Sequence, residues 1–476
     1  MPVNVYKRTL LPLLAWFILS AVSAQKGDDS LMISAGTGVA VSVGDMAPFW
    51  LISGRYGAIG NKPVNIWLSG GVAGKKVITE SISVLGTVDL MARQSDEGRI
   101  ILRQGYLGMK TGPLIVRGGV WESHYGTAGS SLSSGNLLWS GNALPLPRIG
   151  IETDGYITIP RTGGFAGFSG GLIHGWFLSD KYVDNAFLHH KYVSLRLGGR
   201  LPVHLEAAMH HYAQWGGISS DPGQGELPRS FADYLKVFFG KGGSSGVQWE
   251  EWANATGNHI GSYNLAVDAD LGKTKAAFNW QTIFEDGSGM SLRNIRDGLW
   301  GLNFSFSSFN LISEICVEHF RSTDQSGALD EHYEGDSLVF DGGNDNYFNS
   351  WLYRSGWTYR GMTIGTPLIT SPELFYQEDN FMLIANNRVR AWHLGLGGSA
   401  GKIQYRLLYT YSNNYGTYQH PFDEPRVQHS VLVEASLADL RMINCRLSAM
   451  LAFDTGSFLG NNFGCMISLK RIWQIR

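Results

Sequence analysis

Apolar residues recur at every second position along several stretches of this chain. In residues 81–93, Ile82, Val84 and Val88 fall on one face, whereas Asp89 falls on the other. Alternation with a period of two is typical of β-strands that have one apolar and one polar face. Segments of about ten residues built in this way are what the wall of a membrane-spanning β-barrel requires.

Several of these stretches are joined by tight turns. Residues 193–197 and 201–209 alternate on either side of a turn at 198–200, and further tight turns are predicted at 399–401 and 438–440. Long loops are predicted at 121–148, 213–260, 322–350, 366–386 and 412–428. Because outer-membrane barrels have short periplasmic turns and long external loops, this asymmetry predicts a barrel whose tight turns face the periplasm.

Two segments depart from the strand pattern. The first residues combine Lys7 and Arg8 with an apolar run and small residues up to Ala24, which is the pattern of a cleavable secretory signal. We therefore expect a signal peptide at 1–24 and a single barrel at 25–476, without a lipoprotein anchor because no cysteine lies near the cut. The second segment, 231–239, is predicted to be a short helix in a loop that ends at Gly240.

The composition excludes some classes of fold and function. The chain contains 61 Gly, 15 Trp, 20 Tyr and 23 Phe, with 16% charged residues and a formal net charge of -2. Beyond the signal it has no run of about 18 apolar residues that could form a membrane helix, and it lacks the basic excess of a nucleic-acid-binding protein. We predict an all-β, transmembrane, antiparallel outer-membrane β-barrel of a Gram-negative bacterium, with short helical segments in loops or on the periplasmic side.

The three cysteines, Cys316, Cys445 and Cys465, form neither a disulfide framework nor a metal-ligand spacing. At least one of them is unpaired unless it bonds another chain. The alternation places Cys445 on an apolar face, so we expect all three to serve as small apolar side chains on strands.

Two motifs suggest catalysis, and each has a simpler explanation. Residues 167–171 match G-x-S-x-G, which would make Ser169 a nucleophile, but no helix follows to form the required strand-to-helix elbow. A hydrolase would also need a histidine within hydrogen-bond reach of the serine. Glu285 and Asp286 are adjacent, so on a strand they point to opposite faces and cannot act as a glycosidase pair. We therefore predict no enzyme.

Two groups of residues suggest a metal ion. One is a group of histidines, His189, His190, His204, His210 and His211. No carboxylate or cysteine accompanies them at a recognised ligand spacing, so we interpret them as polar lumen or rim residues. The other is the sequence DGGNDN at 341–346, which lacks the bidentate glutamate of a calcium loop and is interpreted as a surface loop. No metal and no cofactor are predicted.

Aromatic residues beside amides and carboxylates form a pattern suited to sugars. Rings stack on the apolar faces of pyranoses, and Asn and Asp bind the hydroxyls. The same aromatic residues also form the girdles of membrane barrels, so both interpretations remain open at this point. The candidate sugar-binding residues are Trp176, Asp180, Asp184, Asn185, Trp215, Tyr347, Asn349, Trp351, Asn413, Asn414 and Tyr415.

Several stretches, in order along the chain, resemble the capsule-assembly outer-membrane family known as Wzi. They are APFWLISGRYG at 47–57, LHHKYVSLRL at 188–197, HHYAQWGG at 210–217, FEDGSG at 284–289, DGLWG at 297–301, SGWTYR at 355–360, IGTP at 364–367 and YTYSNNYGT at 409–417. The resemblance covers almost the whole chain beyond the signal. The chain ends in WQIR at 473–476 rather than on an aromatic residue, which leaves the register of the final strand open.

The resemblance implies a barrel of about 18 strands that anchors capsular polysaccharide or exopolysaccharide at the cell surface, as a lectin does and without catalysis. Members of the family also carry a small helical bundle on the periplasmic side, and this sequence departs from that pattern because it holds no segment for a full bundle. The implied partners are the polysaccharide, outer-membrane lipid and, as a further candidate, the polysaccharide export machinery, with the barrel itself a monomer. The alternative function is an outer-membrane diffusion channel or transporter, in which the polar strand faces line an open pore.

Overall fold

The computed structural model describes residues 29–127, 130–178, 181–241, 256–327, 331–334, 337–340, 345–378, 380–437 and 445–475. Its main element is a closed antiparallel β-barrel of 18 strands. The strands are β1 (Ser30–Val43), β2 (Val64–Thr79), β3 (Ile82–Gln94), β4 (Gly98–Thr111), β5 (Leu114–Val120), β6 (Arg148–Thr153), β7 (Ala166–Trp176), β8 (Phe187–Leu197), β9 (Val203–Trp215), β10 (Asn258–Asp270), β11 (Thr274–Gln281), β12 (Gly298–Phe306), β13 (Glu314–Arg321), β14 (Val389–Ala400), β15 (Ile403–Gly416), β16 (Pro421–Leu437), β17 (Arg446–Gly456) and β18 (Asn462–Ile475).

Each barrel strand pairs with the next along the chain, and the barrel closes by pairing β18 with β1. The closing register runs from Leu31 opposite Ile475 to Val43 opposite Phe463. This register settles the position of the final strand, which the sequence had left open. The predicted fold class is therefore confirmed, with four short two-strand pairings added in the connections and at the end of β7.

The strand alternation divides the barrel wall into an apolar outer face and a mixed inner face. On β17, Leu451 and Phe453 point outward and are 46% and 45% exposed, whereas Met450 and Ala452 point inward and are buried. The predicted period of two thus gives the side of the wall on which each residue lies. Cys445 belongs by alternation to the same outward-facing set, and no disulfide joins the described cysteines.

The connections differ at the two ends of the barrel. At one end, here called the turn end, strands are joined by short turns such as Gly112–Pro113 between β4 and β5, 198–202 between β8 and β9, and Gly401–Lys402 between β14 and β15. Both β1 and β18 also reach this end. At the other end, here called the loop end, the longest connections are 44–63, 121–147, 216–257, 282–297 and 322–388.

The predicted asymmetry of turns and loops is confirmed in outline. The turn predicted at 438–440 lies outside the described residues. The long loop predicted at 412–428 is wrong: β15 continues to Gly416 and β16 begins at Pro421, so only 417–420 connects them. The alternation of polar and aromatic residues there reflects strand faces rather than a loop.

The described helices are short: α1 (Phe49–Ile52), α2 (Phe231–Phe239) and α3 (Gly287–Met290), all in loop-end connections. The helix predicted at 231–239 is confirmed. Ser230 and Asp233 form a reciprocal capping box at its start, and Gly240 ends it in the left-handed conformation with φ 61°. None of the helices in the described ranges is long and apolar enough to cross a membrane. The predicted signal peptide at 1–24 lies outside the described residues.

The core of the protein lies inside the barrel, in the half of the lumen nearest the loop end. Described parts of three connections, 44–63, 121–147 and 322–388, fold inward, and their buried apolar side chains form one continuous cluster, here called the plug. Its fully buried members include Leu51, Leu137 and Trp357. The plug contacts inward-facing residues of the wall all around the barrel, namely Ala40, Trp67, Met91, Ile101, Leu188, Tyr212, Ile260, Leu299, Phe320, Val389, Leu408, Leu432, Met450 and Met466. An apolar core therefore spans the lumen.

Hydrogen bonds fix the plug to the wall. The Glu318 carboxylate on β13 accepts hydrogen bonds from the Ser133 hydroxyl at 2.5 Å and from the backbone N–H and hydroxyl of Ser134 at 2.8 and 2.6 Å. On β11, the Gln281 side chain accepts from the Leu137 N–H at 2.8 Å. Because these donors belong to backbone and short side chains, the segment around 132–137 is held in one position across the lumen.

The inward connections also bind each other. The Trp357 indole N–H donates to the Leu138 carbonyl oxygen at 2.9 Å, and the Ser140 hydroxyl donates to the Gly365 carbonyl oxygen at 2.6 Å. Buried polar groups of both connections are thereby satisfied within the plug. The two connections form a single packed unit.

Candidate functional site

Four of the predicted sugar-binding residues are buried. Trp215, Tyr347, Asn349 and Asn414 are 4%, 0%, 4% and 2% exposed. The Tyr347 hydroxyl donates to Asp297 at 3.2 Å and accepts from the Asn294 amide at 2.6 Å. A side chain in such surroundings has no free ring face or amide for an external polymer, so these four residues serve packing.

The amide groups of Asn349 and Asn414 are likewise used within the protein. The Asn349 amide donates to the Ile384 carbonyl oxygen at 2.9 Å. The Asn414 carbonyl oxygen accepts from Asn386 at 3.0 Å, and its amide donates to the Arg426 carbonyl oxygen at 3.0 Å. The Asn349 contact lies within one loop-end connection, and the Asn386–Asn414 contact holds that connection to the wall of the barrel.

Strand alternation separates the triplet at the end of β15. Asn414 points into the barrel, whereas Asn413 and Tyr415 point outward and are partly exposed. Asn413 accepts a hydrogen bond from the Tyr411 hydroxyl at 3.3 Å. The three residues therefore cannot form one binding face, because adjacent residues of a strand lie on opposite sides.

Trp351 is a predicted residue that the structure presents openly. It is 54% exposed and its ring centroid lies 5.1 Å from that of Phe381, which is 44% exposed. The Arg354 guanidinium lies 3.5 Å from the centroid of the Phe381 ring and 4.3 Å from that of Tyr182. The loop end thus carries an exposed aromatic pair held by a cation–π contact.

A polar cleft of about 510 Å³ lies in the same connection as this aromatic pair. We call it the loop-end cleft, and it is lined by Gln377, Glu378, Asn380, Gln419, His420 and Pro421. The Asn380 amide nitrogen is buried without a hydrogen-bond partner in the described structure. Amides and carboxylates in a cleft next to exposed rings are the groups that bind hydroxyls and sugar faces.

Asp184 and Asn185 are exposed at the loop end. Their segment begins at Tyr182, whose N–H donates to the Ser355 hydroxyl at 2.8 Å, so it is joined to the segment that carries Trp351. Trp176 instead points outward from the end of β7, with its ring 5.0 Å from that of His174. Asp180 lies outside the described residues.

The histidines do not form one group, because alternation divides them between the two faces of the wall. His190, His204 and His210 point into the lumen, whereas His189 and His211 point outward. Among the described residues, no group of three or more histidine, cysteine or acidic residues could hold a metal ion. The 341–344 part of the DGGNDN sequence lies outside those residues.

Ser169 lies within β7, so no strand-to-helix turn exposes it. Its hydroxyl is 2.9 Å from that of Thr153. It lines a second cavity, of about 410 Å³, in the turn-end half of the lumen. This turn-end cavity lies beneath residues 121–127 and is also lined by Arg117, Glu122, Tyr125, Glu152, Tyr156, Tyr192, Ser194, Glu206 and His210.

Buried acids lie in the loop-end connections. Burial, aided by the charges of Asp286 and Asp297, raises the pKa of Asp345 to about 7, although the hydrogen bond from Ser326 lowers it. Burial and the charge of Asp345 also raise the pKa of Glu285 well above its ordinary value. Glu285 accepts a hydrogen bond from the Phe348 N–H at 2.9 Å, which ties this acid to the plug. Protonation therefore favours the packed arrangement of these connections.

Sequence reasoning missed the residues of the loop-end cleft. The segment 376–381, YQEDNF, has the same mixture of rings, amides and carboxylates as the predicted sugar-binding residues, so the pattern itself could have found it. Gln419 and His420 carry no such signal. They lie in a different connection, and the Asn346 amide donates to the Gln419 side chain at 3.1 Å.

No family model matches this chain, and no curated protein matches it in sequence. Among solved structures, it is similar to Wzi of Escherichia coli, described as a carbohydrate-binding β-barrel and an outer-membrane protein involved in group 1 capsule assembly. That likeness has a TM-score of 0.57 at 11% identity and covers 97% of this chain and 87% of the other. OprD of Pseudomonas aeruginosa follows, with a TM-score of 0.48 at 9% identity, covering 96% and 98%. At these identities the likeness shows the fold alone, and this chain shares the closed β-barrel fold of the outer-membrane protein Wzi.

Proposed function

We propose that this protein is an outer-membrane barrel that holds a surface polysaccharide at its loop end. The observation that carries the proposal is the plug, because an apolar core that spans the lumen blocks the passage of hydrated solutes. A closed barrel with a polar, ring-flanked cleft at one end is suited to binding rather than to transport. Catalysis has no part in the proposed function.

The proposed binding surface consists of the loop-end cleft and the exposed pair Trp351 and Phe381. The two rings offer faces for the apolar side of a pyranose, and Gln377, Asn380 and Gln419 offer amides for its hydroxyls. Asp184 and Asn185 extend this surface along the neighbouring connection. The carbohydrate-binding activity named for Wzi agrees with this chemistry.

Each contact of this kind is weak, and the polymer compensates by repetition. A polysaccharide presents the same unit many times, so a second contact forms at a high effective concentration once the first has formed. Many barrels in one membrane would then retain a chain that none of them binds tightly. The proposed partner is therefore a capsular polysaccharide or exopolysaccharide rather than a free monosaccharide.

A diffusion channel is the competing function. The feature that favours it is the charged inner wall of the turn-end half, where Arg117 lies 3.2 Å from Glu152 and Arg406 lies 2.7 Å from Glu434. Such paired charges line aqueous lumens. Conductance of the purified protein in planar bilayers separates the two functions, since a plugged barrel gives no steady channels.

The proposal is tested by deleting the gene and measuring cell-bound and shed polysaccharide. We expect polysaccharide to be made but shed, and the intact gene to restore retention. A gene carrying Trp351→Ala and Phe381→Ala should restore less retention, while Phe309→Ala should restore it fully. Phe309 is the matched control because it is 56% exposed in the turn between β12 and β13, at the opposite end of the barrel.

Folding of each variant is checked by heat-modifiable migration on gels, which marks an intact barrel. Retention that is unchanged in the deletion strain would overturn the proposed function. A second outcome is that deletion abolishes retention and the double variant restores it fully. In that case the proposed function would stand, but Trp351 and Phe381 would not belong to the binding surface.

A further inference from the structure

The outer wall of the barrel is apolar up to the loop end on one side and is interrupted by a polar patch on another. On β1 and β2, the outward residues nearest the loop end are Val43, Val64 and Ile66, which are 74%, 46% and 50% exposed. On β7 to β9, the outermost outward side chains are the rings of Trp176, Phe187 and Trp215. The next outward residues, on β7 to β10, form a polar patch of His174, His189, Lys191, His211 and His259. Histidine and lysine on a lipid-facing wall are costly unless something covers them.

Helix α2 covers this polar patch from outside the barrel. The Tyr234 ring centroid lies 6.1 Å from that of His174 and 5.5 Å from that of His189. His189 is fully buried, and the Lys191 ammonium donates to the carbonyl oxygen of Phe238. The helix therefore covers His174, His189 and Lys191, and the His211 ring packs beside His189 and stacks on His259.

The helix is anchored there by apolar contacts as well. Val237 is fully buried and packs with Ala213 and Trp215 on β9. The Trp215 ring centroid lies 5.5 Å from that of Tyr234. Trp215, which the sequence pattern predicted to contact sugar, thus serves to hold α2 against the wall.

An apolar stripe runs along an exposed side of α2. Phe231, Leu235 and Phe239 are spaced four residues apart, so they lie in one row, and they are 75%, 42% and 65% exposed. The charged residues Asp233 and Lys236 lie off this row and pair with each other at 3.4 Å. Three large apolar side chains in a row on a rigid, capped helix are an exposed patch that calls for an apolar partner.

The stripe is continuous with the apolar belt of the wall. Below α2, towards the turn end, β8 and β9 expose Val193 and Leu205, which are 56% and 42% exposed. At the height of the polar patch, the outward side chains of the strands are polar. There the apolar outer surface consists of Phe231, Leu235 and Phe239 of the helix. The helix therefore makes the apolar belt of the outer surface continuous across the polar patch.

We infer that α2 is a membrane-embedded part of the protein, whose stripe of Phe231, Leu235 and Phe239 contacts the acyl chains of the outer leaflet. Its role is to shield the histidines and Lys191 from lipid. This interaction is independent of any polysaccharide, so it stands or falls separately from the proposed function.

The test measures the depth of the helix in a bilayer. In a background in which Cys316, Cys445 and Cys465 are replaced by Ala, Leu235→Cys is labelled with the environment-sensitive dye NBD and the protein is reconstituted in phosphatidylcholine vesicles. Val193→Cys serves as the lipid-facing reference and Asn185→Cys as the exposed loop-end reference. We expect the label at 235 to emit at the blue-shifted wavelength of the 193 label and to be quenched by doxyl-labelled acyl chains rather than by iodide.

Emission and iodide quenching like those of the 185 label would overturn the inference. A second variant keeps it testable if the cysteine-free background fails to fold. Replacing Phe231, Leu235 and Phe239 with Ser should lower the unfolding midpoint in vesicles, because the stripe loses its lipid contacts and the polar patch loses its cover. Phe309→Ser at the turn end is the control, and an equal midpoint for the two variants would equally overturn the inference.

Discussion

The two halves of the lumen are built on different principles. The half near the loop end is filled by the plug, in which Leu51, Trp357 and Tyr347 have no exposed surface. The half near the turn end holds a cavity of about 410 Å³ lined mainly by polar residues. One barrel wall thus encloses an interior like that of a soluble protein at one end and a polar chamber at the other.

The surroundings of the acidic residues also differ between the two halves of the lumen. In the turn-end half, carboxylates face arginines, as in the pair of Arg117 and Glu152 at 3.2 Å. In the loop-end connections, Asp345 accepts a hydrogen bond from the Ser326 hydroxyl at 2.5 Å, and burial raises its pKa to about 7. The comparison teaches that the surroundings of Asp345 exclude water strongly enough to favour the neutral acid, whereas Glu152 in the turn-end half lies against an arginine.

The largest expected effect follows from removing a ring from the plug. Trp357→Ala leaves a cavity where packing is tight and removes the indole hydrogen bond to Leu138, so we expect a loss of about 3–5 kcal/mol in the free energy of unfolding. Urea unfolding in lipid vesicles, followed by gel migration, measures it. Trp392→Ala is the control, because Trp392 is 55% exposed on the outer wall and its removal leaves no internal cavity. Equal losses for the two variants would mean that the plug is loosely packed.

A smaller effect is expected from the buried acid. Because burial raises the pKa of Asp345 from 3.8 to about 7, the folded state binds the proton more tightly than the unfolded state. The contribution of Asp345 to stability is therefore fully present below about pH 4, is lost as the pH rises to about 7 and is level above that. Asp345→Asn should remove this fall and stabilise the protein at pH 8 by about 2–4 kcal/mol.

This prediction is checked by urea unfolding of both proteins at pH 5 and pH 8. Asp184→Asn is the control, since Asp184 is exposed and its replacement should leave the pH dependence unchanged. If Asp345→Asn leaves the fall in place, another acid of the connections, Glu285 first, carries it.

The smallest effect is expected in the turn-end half. Arg196 lies 3.2 Å from Asp268, and their side chains are 39% and 42% exposed. A pair so accessible to water contributes little, and Arg196→Gln should cost less than about 1 kcal/mol by the same unfolding measurement. A loss as large as that of Trp357→Ala would show that this half is as dry as the plug and would remove the contrast.

The wall of the barrel could be predicted from sequence because its signals are local. Alternation along β3 or β17 predicts which residues point outward from the barrel, and the glycines at 198–199 predict a turn. Helix α2 was also predictable, since Ser230, Asp233 and Gly240 carry both caps within one short segment. None of these signals depends on where the rest of the chain goes.

The plug could not be predicted in this way. Tyr347 and Asn349 carry the ring and amide pattern of a sugar site, and the same pattern serves a buried core in which amides satisfy backbone groups. The difference lies in contacts with Asp297 and Ile384, which are distant in the sequence. For the same reason, the sequence located α2 without indicating that it lies outside the barrel rather than above it.

The closing register of the barrel has a consequence for biogenesis. Leu31 meets Ile475 and Val43 meets Phe463, so the seam joins strands from opposite ends of the described chain. Contacts between such distant segments form late and slowly, because the intervening chain must first be ordered. Until then both β1 and the most recently added strand expose unpaired edges that can recruit other chains. Defects in the seam should consequently appear as aggregation during assembly, before any native barrel exists to be destabilised.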